Sequence, residues 1–255
     1  MKQNKVYKKE ALDALKGNWS QAVLAVLILI AVALFFTVPY EIKSYQLAGN
    51  ATDLQIASSA RAWWIFSVLG MIFAFCPLAA GLANAFKNLH FGGSKDLCSD
   101  GLRICLNNYA HIVWGNVLKN IYTYLWSLLF IIPGIIKSFS YAMTNYILVD
   151  NPELSANEAI ERSMAMMRGH KFDLFYLYLS FIGWYILGLF TLGIGYLWLQ
   201  PYVLTAQASF YRDVKNEYES RQNGFGPAAE PAAPAAPAVQ PISKVENNDD
   251  YMPKA

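Results

Sequence analysis

Charge is scarce in this sequence. Asp, Glu, Lys and Arg make up 15% of the 255 residues, against roughly 25% in soluble domains. The charges that exist cluster at the N-terminus, around 87–111, around 150–171 and after 212, with long apolar stretches between. A water-soluble domain spreads its charges over its surface. This pattern instead predicts bilayer spans joined by aqueous connections. The net charge of +2 is too small to hold a polyanion, so no nucleic acid is expected as a partner.

Cysteine and histidine are also few. Cys76, Cys98 and Cys105 are odd in number and lack CxxC spacing, which argues against a disulfide framework or a zinc site. They read as small buried apolar residues. His90, His111 and His170 are scattered, without a ligand-spaced partner. HExxH, GxSxG, the P-loop and the dinucleotide-binding glycine motif are all missing. We therefore expect no enzyme activity and no cofactor.

What is present is a series of apolar segments. They predict an all-α fold, a polytopic transmembrane bundle of about six spans with short interfacial amphipathic helices. Residues 1–19 carry Lys2, Lys5, Lys8, Lys9 and Lys16 and a stripe of Val6, Ala11, Leu12 and Leu15. They predict a helix on the membrane surface, and the basic start before a long apolar run fits a signal anchor better than a removed leader. The transmembrane domain covers 20–212. Its first span runs from Ala22 to Pro39 and its second from Trp63 to Phe86. In the second, Pro77 predicts a kink, and Gly70, Ala79, Ala80 and Gly81 predict close packing. The connections turn at Gly49-Asn50 and Gly92-Gly93, and Ser94 is placed to cap a helix through Leu97, Leu102, Cys105 and Leu106.

The third span, Ile112 to Ile132, contains Asn116, Lys119 and Asn120. A charge at the bilayer centre costs at least ~2.5–3.5 kcal/mol, and Lys119 lies near enough to the span's start to snorkel to the interface. Pro133-Gly134 predicts a break. The fourth segment, Ile135 to Val149, is short, about 22 Å against a core of about 30 Å. Ser155 and Glu158 form a capping box for an interfacial helix over 156–168, with Glu158 and Arg162 paired outside and Gly169 at its end. Leu174 to Tyr211 is uncharged and turns at Gly193-Ile194-Gly195, which gives the fifth and sixth spans. Residues 213–255 form a Pro/Ala-rich tail expected to be disordered.

Lys and Arg set the orientation. Residues 1–19, 87–111, 150–171 and the stretch after 211 are richer in them than 40–62 or the turns at 133–134 and 193–195. Six spans place the richer segments, and both termini, in the cytoplasm. A single kinked helix through Pro133 would give five and reverse the C-terminus.

The densest motif run is Ile131-Ile132-Pro133-Gly134-Ile135-Ile136-Lys137, Tyr141-Ala142-Met143, Asp150-Asn151-Pro152, Glu158-Ala159-Ile160, Ser163 and Met167-Arg168-Gly169-His170-Lys171. It continues through Leu179-Ser180-Phe181-Ile182-Gly183-Trp184, Thr191-Leu192-Gly193-Ile194-Gly195 and Pro201-Tyr202. In this order the residues resemble the bacterial membrane family catalogued as domain of unknown function 975. The resemblance is close over 125–213 and loose over 1–124, where the N-terminal lysines and Gly17-Asn18-Trp19 carry it. A more distant resemblance is to the membrane domain attached to some glycerophosphodiester phosphodiesterases. The resemblance implies an integral membrane protein and brings no established activity or catalytic residues.

Two readings of these residues follow. In the first they are structural: Pro133-Gly134 turns the chain, Asp150-Asn151-Pro152 ends a helix, and Arg168, His170 and Lys171 face lipid phosphates. The protein is then a scaffold or accessory component of the envelope, with membrane lipids and membrane proteins as partners. In the second, Lys119, Lys137, Asn116, Asn120 and Asn145 line a polar path in a small transporter or lipid-handling protein. No intramembrane carboxylate is available to pair with those lysines, which argues against a proton-coupled pump.

Overall fold

A computed structural model describes residues 4–49, 54–90 and 96–223, and every regular element among them is helical. The turns expected at Gly49-Asn50 and Gly92-Gly93, the Ser94 cap and the tail beyond 223 lie outside the described residues in whole or part. Three helices are long and apolar enough to cross a membrane: Trp19–Gln46, with mean hydropathy 2.9, Ala60–His90, with 2.2, and Lys171–Phe190, with 1.5. Only 17% of the most apolar stretch of the first is buried against protein. An apolar surface of that extent is the signature of a membrane protein.

The chain opens with α1 (Asn4–Leu15), which does not lie free on a surface. Its buried face is Tyr7, Ala11 and Leu15, one turn apart, while Val6 and Leu12 point outward. Tyr7 meets Phe210 edge-on at 5.7 Å between ring centroids, so α1 docks on the bundle. Next, α2 (Trp19–Gly49) runs through Pro39 instead of ending there. A proline removes one backbone hydrogen bond, a loss that membrane helices tolerate.

The second span is α3 (Leu54–Gly70), a π-turn (Met71–Phe75) and α4 (Cys76–His90) in one continuous run. The distortion expected at Pro77 appears just before it. Proline frees the carbonyl four residues back, that of Phe73, and the Tyr109 hydroxyl donates to it. The helix α5 (Leu97–Asn107) then packs on α4 through Gly81 and Gly101. A Cβ on Gly101 would approach the Leu82 backbone to 3.4 Å and its side chain more closely.

The following hairpin departs from expectation in three ways. First, α6 (Tyr109–Leu129) ends at Phe130, which is extended at φ −156° and ψ 140°. The break therefore precedes Pro133, which sits in the first turn of α7 (Ile131–Ser140). A proline is harmless there because first-turn N–H groups lack intrahelical acceptors. Second, Gly134 is the contact residue of the hairpin, since a Cβ on it would fall 2.7 Å from the Ser127 Cα. Third, the fourth segment is divided: α8 (Thr144–Asp150) is a separate helix after a turn at 141–143. α7 rises about 15 Å and α8 about 10 Å, so neither alone crosses a ~30 Å core.

The capping box opens α9 (Ala156–Met166). The Glu158 N–H donates to Ser155 Oγ at 3.3 Å and the Ser155 N–H to Glu158 Oε2 at 2.7 Å. The Ser155 N–H, and after it the Ser155 side chain, hold the Glu158 carboxyl below its ordinary range. Gly169 adopts φ +88°, the left-handed backbone a glycine accepts at a helix end. The fifth span is interrupted between α10 (Lys171–Leu179) and α11 (Ile182–Phe190). The Ser180 carbonyl at this interruption accepts from Lys8 Nζ at 2.7 Å. The turn at 191–195 forms as expected, with Gly193 at φ +87°. Last, α12 (Tyr196–Gln222) continues past Asp213, into residues read as tail. It is the central strut, burying Val203, Ala206, Phe210, Tyr211 and Val214.

Candidate functional site

Two polar clusters form where apolar helices meet. The first gathers on Asp150, the last residue of α8. Its Oδ1 accepts from Lys87 Nζ of α4. Its Oδ2 accepts from Lys215 Nζ at 2.8 Å and from the Tyr211 hydroxyl at 2.9 Å, both on α12. The Lys87 side chain is only 8% exposed. Burial pushes the Asp150 carboxyl up, but the Lys87 and Lys215 ammonium groups outweigh it, and the carboxyl is held below the usual carboxylate range. Tyr211 also stacks on Tyr146 of α8, with centroids 4.8 Å apart. One carboxylate thus clasps three helices.

The clasp extends along α12. Arg162 of α9 donates to Asn151 Oδ1 at 3.3 Å and lies 4.0 Å from Glu219, so the outward pair with Glu158 gives way to these partners. His170 sits between Asp173 and Glu217, each at 3.3 Å. Nearby, Ser163 Oγ donates to the Ser140 carbonyl at 2.8 Å and ties α9 to α7. Pro152 follows Asn151 in the turn that ends α8.

The second cluster surrounds Lys119. Its Nζ donates to Asn116 Oδ1 at 3.0 Å and to Asn145 Oδ1 at 3.1 Å. Asn84 Nδ2 donates to the Asn145 carbonyl at 3.2 Å. Asn84 is fully buried, and its Oδ1 has no hydrogen-bond partner among the described residues. Of the residues expected to line a polar path, Lys119, Asn116 and Asn145 do converge. Asn120 is exposed, and Lys137 stands apart, 4.7 Å from the centroid of the Trp126 ring.

Asn84, Lys87, Tyr211 and Lys215 were not singled out from sequence. Lys87 and Lys215 read as interface cations, and nothing local marks them as partners of Asp150. Asn84 carries a weak signal, as an amide within the small-residue run Ala79-Ala80-Gly81-Leu82-Ala83 that packs closely.

The described residues also enclose two apolar grooves. One, of about 400 Å³, lies between Val26, Ala33, Tyr196 and Gln200. The other, of about 440 Å³, lies between Leu12, Trp184, Trp198 and Tyr202. Among the described residues, no three His, Cys, Asp or Glu side chains are grouped to hold a metal ion.

Residues 102–218 match the family model described as Protein of unknown function (DUF975). The match takes in Lys119, Asp150, Ser155 and Tyr211, while Asn84 and Lys87 precede it. No curated protein and no solved structure matches the chain.

Proposed function

We propose that this chain, which belongs to the DUF975 family through residues 102–218, is a non-catalytic scaffold or accessory component of a bacterial inner membrane. Six apolar segments lie in the bilayer, with 112–132 and 135–149 as a paired hairpin and both termini cytoplasmic. The observation that carries this reading is the Asp150 clasp. The Asp150 carboxylate takes three donors, from Lys87, Lys215 and Tyr211, so its bonds are spent on holding α4, α8 and α12 together. The test is crosslinking and pull-down from native membranes through a tagged C-terminus, with a stoichiometric membrane-protein partner expected. Recovery of the chain alone would count against a scaffold. A reporter fused after residue 215 should be active only in its cytoplasmic form.

The Lys119 cluster favours a second reading, a small transporter or lipid-handling protein. A lysine held by amide oxygens alone, one of them on Asn145, whose backbone carbonyl accepts from the buried Asn84, is the arrangement from which a polar path would be built. Replacing Lys119 and Lys137 together by leucine separates the two readings. Unchanged phenotype and stability would reject transport.

A further inference from the structure

Several cations of this chain have a counter-charge. Lys87 and Lys215 hold Asp150, Lys16 holds Asp13, and Arg221 holds Glu217. Lys137, Arg168 and Lys171 have no acidic partner among the described residues, yet the fold gathers them. Lys137 and Arg168 both lie within electrostatic reach of Lys171. Lys137 leaves the last turn of α7 with its Nζ over Trp126 and 3.8 Å from Met164 Sδ on α9. Phe139 meets Phe175 edge-on at 5.9 Å, which fixes α7 against α10. Arg168 precedes the Gly169-His170 turn and Lys171 follows it as the first residue of α10. The nearby carboxylate, Asp173, is engaged by His170 at 3.3 Å.

Three like charges brought together repel one another, and a bound anion reverses the sign of that interaction. The surroundings say what kind of anion. Ile136, beside Lys137, is 48% exposed, and Phe172, beside Lys171, is 73% exposed. A soluble anion makes no use of such apolar neighbours. An anionic phospholipid uses both features, with its headgroup among the cations and its chains along the apolar side chains.

We infer that Lys137, Arg168 and Lys171 form a binding site for the headgroup of an anionic phospholipid, at the foot of the α6–α7 hairpin. The site rests on the membrane residence proposed above. The hairpin tip beyond it is highly exposed, with Leu128 at 72% and Ile131 at 75%, and Ser127 Oγ near the tip donates to the Thr123 carbonyl of its own helix at 2.8 Å.

The test is native mass spectrometry of the full chain in mild detergent, titrated with phosphatidylglycerol and with phosphatidylcholine of the same acyl chains. Phosphatidylglycerol should be retained preferentially. The triple variant K137Q/R168Q/K171Q should bind it about a hundredfold more weakly, since each surface cation contributes roughly a factor of five. The control K5Q/K9Q/R103Q should bind like the parent. Arg168 is exposed, so R168E gives a single-site check that leaves the core untouched, and it too should weaken binding. Equal losses in both triple variants would assign the preference to diffuse charge and overturn the site. Equal affinity for the two lipids would overturn the site and leave membrane residence standing, whereas retention of neither lipid would count against both. Inorganic phosphate bound as tightly as phosphatidylglycerol, through the same three residues, would replace the lipid with a soluble anion.

Discussion

Lys87 and Lys119 are both lysines folded in among helices, and the groups that hold them differ in kind. Lys87 faces a carboxylate that Lys215 and Tyr211 also bind. Lys119 faces two amide oxygens and no acid. An ion paired with an ion is a fastener, because removing one partner leaves the other as a buried uncompensated charge. An ion among dipoles keeps its charge uncancelled, and its loss leaves only polar groups short of a donor. The difference assigns cohesion to the Asp150 cluster and leaves the Lys119 cluster, which shares α4 and α8 with it, as the adaptable one.

The largest expected effect breaks the fastener. Asp150→Leu strands Lys87 and should cost about 3–5 kcal/mol, read as a lower thermal midpoint of the detergent-solubilised protein. The double variant with Lys87→Leu should recover part of the loss. A midpoint equal to the parent's would remove the distinction between the clusters. Next in size, Lys119→Leu leaves the Asn116 and Asn145 oxygens without their donor and should cost about 1–3 kcal/mol. A loss as large as that of Asp150→Leu would make the second cluster a fastener too. Smaller again, Ser155→Ala removes one half of the capping box of α9, which carries Arg162 to the clasp, and should cost about 1 kcal/mol.

The smallest effect is a pH slope. The Asp150 carboxyl is held below its ordinary value in the folded chain. Its contribution is therefore fully present above the unfolded carboxylate pKa of about 3.9 and is lost as pH falls through the lower folded value. Thermal scans of the parent from neutral to acidic pH should show this loss, and Asp150→Leu should lack that component. Identical slopes would mean that the carboxylate is no better held folded than unfolded.

Legibility from sequence followed the range of the interactions. The capping box at Ser155 and Glu158, the left-handed Gly169, the Gly193 turn and the distortion at Pro77 were all readable, because each depends on residues within a turn or two. The break near Pro133 was placed three residues late. The motif shows that a helix must begin there, while whether proline ends one helix or opens the next depends on Phe130. Of the five residues expected to line a polar path, Lys119, Asn116 and Asn145 meet, while Asn120 is exposed and Lys137 lies over Trp126, because composition groups polar residues without fixing the helix face each occupies. Asn84 was missed because its role depends on Asn145, far along the chain.

The sequence by itself determined that this chain is helical, where its apolar segments lie and how several helices start and stop. Hydrophobic runs and caps act over a few residues and need no knowledge of the rest. Only the tertiary structure decided that α1 docks on α12, that Asp150 joins α4, α8 and α12, and that α7, which carries Lys137, packs against α9 and α10. Such pairings depend on which helix faces lie opposite, and that is settled by packing the whole bundle at once.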